Sequence, residues 1–463
     1  MSANVIAGNR STAEASATAA AARATLLREG PILSTLVRLS LPNLVALCSA
    51  TVVSIAETAY VGSLGVAALG GIALVFPIFM LMQMLSAGAM GGTVSGAISR
   101  ALGGGDYDGA QALALCSLAI GLVLGLALTV AVLTVGPLAY SQLGGSGEVL
   151  QQAIIYSNVA ALGIVAIWVT NMLASIARGS GNMAIPATTQ LAAGVVQIVV
   201  GGAFGLGIGP LPRLGMAGVA LGQLVAFSCA AVTLFLYLRS TRARLQLRLD
   251  PSLLSITRFA QILRFGAVAM LSPLLSVTTV LVLTAMVARY GPEALAGYGI
   301  GVRLEFLLIP IAFSVGVACV PMVGTAIGGG DVPRARRIAW TAGALAASAL
   351  GVLGVLVVSF PELWVDMFTN NPAVRHAAYS YLSIAGFSYA FFGLGLCLYF
   401  ASQGAGRVGG AIAAQALRLA VVLIGGLALL EMNAPMWSVF LLSAVAMIPM
   451  GLGTALFIKL ARW

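Results

Sequence analysis

The chain has 463 residues, 60% of them apolar and 8% charged, with a mean hydropathy of +1.05. A soluble fold of that length has too little interior to hide so much apolar surface, so the composition makes the bilayer the solvent. The formal charge of +10 sits in loops beside apolar runs, a topology pattern rather than a nucleic-acid surface, and no nucleic-acid partner is expected.

The apolar runs are about 20 residues long, not alternating segments of about ten, which predicts helices rather than a barrel. Residues 1–33 read as a disordered cytoplasmic tail, rich in Ala, Ser and Thr with Arg10, Arg23 and Arg28. They carry no apolar core of a secretory signal, although an acid-poor, Arg-bearing start also fits an organellar transit peptide. Six spans follow near 36–61, 66–98, 110–136, 149–177, 184–206 and 215–238. A basic cytoplasmic linker, 239–262, holds Arg242, Arg244 and Arg248. Six more spans lie near 263–288, 294–327, 337–360, 375–402, 408–430 and 435–458. The predicted fold is therefore an all-α polytopic membrane protein with an amino lobe over 34–238 and a carboxyl lobe over 263–463.

With the N-terminus inside, 18 of the 23 basic residues lie on the inner side, three outside (Arg213, Arg289, Arg375), and two within spans (Arg303, Arg418). That asymmetry predicts both termini in the cytoplasm. Six spans per half give the halves one orientation, a parallel repeat. Glycines support the duplication. Gly103–Asp106 and Gly328–Asp331 are the same Gly-Gly-Gly-Asp tetrad 225 residues apart, and Gly179 and Gly181 answer Gly404 and Gly406 at that same offset. Gly65-x-x-Ala68-Leu69-x-Gly71 answers Gly291-x-x-Ala294-Leu295-x-Gly297 at an offset of 226. Neither tetrad is followed by Gly-Lys-Ser/Thr, so they read as tight turns and not phosphate loops.

Two carboxylates fall well within spans, Glu57 and Glu305, and a charge at mid-membrane costs about 2.5–3.5 kcal/mol even on insertion scales. On the first span Asn43, Ala50, Ser54 and Glu57 recur at helical spacing, a small or polar face that begins beside the potential hinge Pro42. Glu57 thus reads as a protonatable switch, or as a hydrated acid near the outer interface. Glu305 shares the eighth span with Arg303, on a different side of the helix. It is expected to pair with Arg418 or another span's polar group, in a carboxyl-lobe network, or else to face substrate. The second span carries Met80, Met82, Gln83, Met84 and Met90 after a second potential hinge, Pro77; adaptable thioethers suit either packing or irregular apolar ligands. Asn158, Asn171 and Gln197 either bond between helices or line a cavity. The cysteines and the lone His376 offer no metal spacing, and no nucleophile–base pair or cofactor loop is present in the pattern, so neither an enzyme nor a cofactor is expected.

In order along the chain, Pro42-Asn43, then Glu57-Thr58-Ala59-Tyr60-Val61-Gly62-x-x-Gly65, Arg178-Gly-Ser180-Gly181-Asn182-x-x-x-Pro186, and Gly297-Tyr-Gly299-Ile-Gly301-x-Arg303-x-Glu305 with Pro310 resemble the multidrug and toxic compound extrusion (MATE) transporters, over about 34–458. The resemblance implies two six-helix lobes in a V around a central cavity, alternating access, and efflux of organic cations or amphipathic compounds against H⁺ or Na⁺. It maps the first-span acid onto Glu57, where the family's usual residue is Asp. It places the fifth-span Asn and Asp near Gln197 and Gly201, and a seventh-span acid near Ser276, so two further carboxylates are missing. A solitary carboxylate favours H⁺ over Na⁺, which calls for several oxygen ligands. Asn43, Ser54, Tyr60, Met80, Gln83, Met84, Asn171 and Gln197 are the candidate cavity residues. The expected setting is a bacterial inner membrane, as a monomer. The alternative is a flippase for a lipid-linked sugar, for which basic lining beyond Arg303 and Arg418 would be expected.

Overall fold

The computed structural model describes residues 25–461, and among them all regular structure is helical. Eleven helices are long and apolar enough to cross a membrane, and a bent pair supplies a twelfth. In chain order they are α1 (Ile32–Leu64), α2 (Val66–Gly103), α3 (Tyr107–Gln142), α4 (Gly147–Leu162 and Ile164–Gly179, bent by 44°), α5 (Ala184–Leu206) and α6 (Met216–Arg239). The second set is α7 (Ile256–Ala288), α8 (Pro292–Gly328), α9 (Val332–Ser359), α10 (Pro372–Ala405), α11 (Gly409–Glu431) and α12 (Met436–Leu460). Each predicted span is one of these. Most extend past the apolar run because the polar last turns remain hydrogen-bonded helix beyond the hydrocarbon.

Among the described residues the chain forms two compact units, one over Leu41–Gly266 together with 25–30, the other over 267–461 together with Pro31–Ser40. The charged connection between α6 and α7 is 240–255, shorter than the predicted linker, with one 3₁₀ turn at Pro251–Leu253. Of the predicted tail, residues 1–24 lie outside the described residues; 25–29 are helical rather than irregular, because Leu27 is buried and Arg28 Nη2 donates to the Gly103 carbonyl at 2.8 Å.

The duplication is visible turn by turn. Gly105 and Gly330 have φ of 80° and 79°, a left-handed conformation that glycine adopts without steric cost. Asp106 N–H donates to the Ala101 carbonyl and Asp331 N–H to the Ala326 carbonyl, both at 2.9 Å, closing each helix with the same C-terminal motif. Each aspartate then caps the next helix, Asp106 accepting from Gly109 N–H and Asp331 from Arg334 N–H. Packing repeats too. A Cβ on Gly71 would lie 2.8 Å from the Ala153 nitrogen, and one on Gly297 would lie 2.8 Å from the Ala378 nitrogen. These contacts bring α2 onto α4 and α8 onto α10 at the same register. The copies diverge within α2, where Met84–Met90 is a π-helical segment, whereas α8 is α-helical over Pro292–Gly328. The helix runs through the predicted hinge Pro77, and its departure from α geometry comes at Met84.

Candidate functional site

Glu57 lies two turns before the end of α1, half-buried, on a helix whose opposite side exposes Val52 and Ile55. Three successive contacts lay this stretch of α1 along α5. A Cβ on Gly194 would stand 3.0 Å from Val53 Cγ2, Gln197 Nε2 donates to Glu57 Oε1 at 2.8 Å, and a Cβ on Gly202 would stand 2.9 Å from the Tyr60 ring. Positions 53, 57 and 60 share one face of α1, and 194, 197 and 202 one face of α5. The two glycines leave the space that lets the carboxyl and the amide meet. Buried Tyr156 on α4 is within electrostatic reach of Glu57, and its hydroxyl bonds to Gln223 Oε1 on α6 at 3.4 Å.

The other amino-half candidates are distributed elsewhere. Asn171 is buried on α4 and donates through Nδ2 to Ser86 Oγ at 2.8 Å and to Gln83 Oε1 at 3.3 Å. It thereby ties α4 to the start of the π-helical segment, a feature found often at functional sites. Met80 and Met84 are half-buried on the same stretch of α2. Asn43 is buried with Nδ2 3.5 Å from Met183 Sδ, and Ser54 is half-buried, its carbonyl accepting from Thr58 Oγ1. Ala50, assigned by spacing to the polar face, is exposed. Pro42 lies inside a helix that continues on both sides of it. Of the two roles open to Asn171 and Gln197, both make interhelical hydrogen bonds.

In the second unit the three charged candidates separate. Glu305 accepts from the Tyr381 hydroxyl on α10. The ion pairs among the described residues join Arg258 to Asp106 and Arg375 to Asp366, so Glu305 and Arg418 make no direct pair. Arg303 is exposed with its guanidinium 5.9 Å from the Phe368 ring centroid, outside the network in which the sequence placed it. The reason is helical geometry: residues two apart point to nearly opposite sides. Tyr381, Tyr156 and the π-helical segment were not singled out from the sequence. A tyrosine in an apolar run looks like any aromatic, and its partner lies far along the chain.

The MatE family model matches residues 42–202 and 269–425, one stretch in each copy of the repeat. The chain belongs to the MatE family. Among its curated relatives, the FAD transporter of Shewanella oneidensis is 25% identical, covering 81% of this chain and 82% of that protein. The probable multidrug resistance protein NorM of Thermotoga maritima is 24% identical, with 80% of each covered. A solved MOP superfamily transporter from Pyrococcus furiosus shares the fold at a TM-score of 0.86 and 22% identity, over 94% of this chain and 97% of that one. This MatE protein is therefore a multi-pass membrane protein of a multidrug transporter family. Its first matched stretch contains Glu57, Asn171 and Gln197, and its second contains Glu305 and Arg418.

Proposed function

We propose that this MatE protein exports organic cations and amphipathic compounds by antiport with protons, with Glu57 as the coupling carboxylate. The observation that carries this reading is the pairing of an intramembrane acid with a neutral donor, Gln197 Nε2 at 2.8 Å. A carboxyl group so placed gains and loses a proton without a competing cationic side chain bound to it, and its charge changes the hydration and packing of α1 against α5. Protonation then repacks α1, with Pro42 as the point where the helix lacks a backbone donor and bends most easily. Sodium would call for several oxygen ligands, and the group bonded to Glu57 is an amide N–H. In this reading both termini are cytoplasmic and the protein works as a monomer in a bacterial inner membrane.

A lipid-linked sugar flippase would use several basic side chains on its pyrophosphate. Arg303 is exposed over Phe368, and among the described residues of the second unit Arg418 is the one buried arginine, which is fewer cations than a pyrophosphate site would use and favours efflux. Dye efflux from vesicles reconstituted with the full chain tests the coupling ion. An imposed proton gradient is expected to drive efflux and an imposed sodium gradient at equal pH is not; efflux driven by sodium alone would overturn proton coupling. Replacing Gln197 by Ala removes the bonded donor while keeping the acid. The expected result is slower efflux, by about three- to tenfold, with a displaced pH optimum. An unchanged pH profile would show that this hydrogen bond has no part in coupling.

A further inference from the structure

The repeat offset changes inside α2. In the first part of the helix the copies are 226 residues apart, Gly71 answering Gly297, and at its end they are 225 apart, Gly103 answering Gly328. Packing narrows the place where the residue is gained. A Cβ on Gly71 would lie 2.8 Å from the Ala153 nitrogen, as one on Gly297 would from that of Ala378. Further along, a Cβ on Gly91 would meet Ser175 Oγ, and one on Gly316 the Phe400 ring. The partner helices α4 and α10 both advance 22 residues between these contacts, from 153 to 175 and from 378 to 400. Over the same interval α2 advances 20, from 71 to 91, where α8 advances 19, from 297 to 316. One extra residue therefore lies between Gly71 and Gly91, with both ends held in register. A helix absorbs such an insertion by widening one turn. Met84–Met90 is that turn: Met84 N–H still donates to the Met80 carbonyl four residues back, whereas Gly91 N–H reaches the Ser86 carbonyl five back.

An inserted residue can sit anywhere between two fixed contacts unless something selects its place. Asn171 does so. Its Nδ2 donates to Ser86 Oγ at 2.8 Å, inside the wide turn, and to Gln83 Oε1 at 3.3 Å, on the α-helical side of it. This polar trio belongs to the first copy alone. Leu396 stands at the counterpart of Asn171, while Gln83 is answered by Leu308 or Ile309, and Ser86 by Ile311 or Ala312, according to the offset. The network and the extra residue thus occur together. A second resting place lies upstream. Pro77 has no N–H, so the helical ladder already lacks a bond there, and a widened turn breaks one bond fewer than elsewhere between the contacts.

We propose that α2 is a two-position register switch: the extra residue rests in Met84–Met90 while Asn171 holds Gln83 and Ser86, and moves up to Pro77 when those bonds are released. At 3.6 residues per turn, the move rotates the helix between the two positions by about 100°. Gly71 and Gly91 keep their seats on α4, and Met80 and Gln83 are carried to a new face. The ends of the helix stay where they are, so the change is local.

Spin labels at Met82→Cys on α2 and at Val195→Cys, an exposed position on α5, read the rotation as a distance in the full-length protein, its native cysteines replaced by alanine. Replacing Asn171 by Leu, the second copy's residue, is expected to move the main distance by about 5 Å or more. Deleting Ala87 removes the extra residue. That chain should keep the wild-type melting temperature and show one distance, with or without Asn171→Leu. A distance unmoved by Asn171→Leu would overturn the switch, and so would an equal shift in the deletion background. If Asn171→Leu does not fold, Ser86→Ala, which removes the nearer acceptor, is judged by the same outcomes; if the deletion does not fold, the Asn171→Leu distance decides. These distances need neither gradient nor substrate, so their result stands apart from the fate of the Glu57 reading.

Discussion

Replacing Glu57 by Gln is expected to reduce proton-driven dye efflux by about a hundredfold or more while leaving the amount of protein in the membrane unchanged. Glutamine has nearly the same shape and, through its own amide oxygen, can still accept from Gln197 Nε2, which now bonds Glu57 Oε1 at 2.8 Å. The contacts of Val53 with Gly194 and of Tyr60 with Gly202 are untouched, so α1 keeps its seat on α5. What disappears is ionisation, and with it the ability of a proton gradient to drive repacking of α1. Glu57→Asp separates the two elements of the site: it titrates, but its carboxyl is one methylene short of Gln197, so partial efflux is expected. Efflux by Glu57→Gln at the wild-type rate, normalised to protein in the vesicles, would refute the coupling role.

Gly222→Val is expected to be the most damaging small change at a distance from the acid. A Cβ at residue 222 of α6 would lie 2.7 Å from the Gln197 carbonyl oxygen and 2.7 Å from both the nitrogen and Cα of Gly201. These atoms are backbone, so relief requires α5 and α6 to move apart. One turn further along, a Cβ on Gly218 would lie 2.4 Å from the Phe204 carbonyl. Gly201 and Gly205 on α5 thus face Gly218 and Gly222 on α6, a four-residue spacing on each helix that allows close backbone contact where lipid offers no hydrophobic drive for association. Overpacking costs about 1–3 kcal/mol even where side chains can yield, and here they cannot. The expected outcome is a melting temperature lowered by several degrees, less protein in the membrane, and slower efflux, because Gln197 moves with α5. Val232→Leu, at an exposed position on the same helix, is the matched control with no expected effect. Wild-type melting and efflux for Gly222→Val would show that the seam does not set the position of Gln197.

Both predictions depend on information of different legibility. The α5–α6 seam was readable in principle, since Gly201-x-x-x-Gly205 and Gly218-x-x-x-Gly222 stand plainly in the sequence. Glu57 was readable because an acid in an apolar run is rare and costly enough to demand a role. Its partner was accessible only as a possibility: Gln197 was one of several polar residues in spans four and five. Glu305 was harder, because Arg303 and Arg418 were both nearer in chemical type than the tyrosine it bonds. Pairing by charge misleads when a neutral hydroxyl lies in contact and the cation lies beyond it.

By itself, the sequence determined that the protein is helical, that it crosses the membrane up to twelve times, and that its two halves are copies. Those properties follow from the length of apolar runs and from glycines at turns whose φ other residues avoid, and both are local in the chain. The tertiary structure decided which polar groups meet. It put Glu57 on Gln197, Asn171 on the start of a π-helical segment, Glu305 on Tyr381, and Arg303 over Phe368. Those pairings depend on how each helix is rotated about its axis and how closely its small residues let a neighbour approach. Hydropathy, which records only how apolar a run is, carries no trace of either.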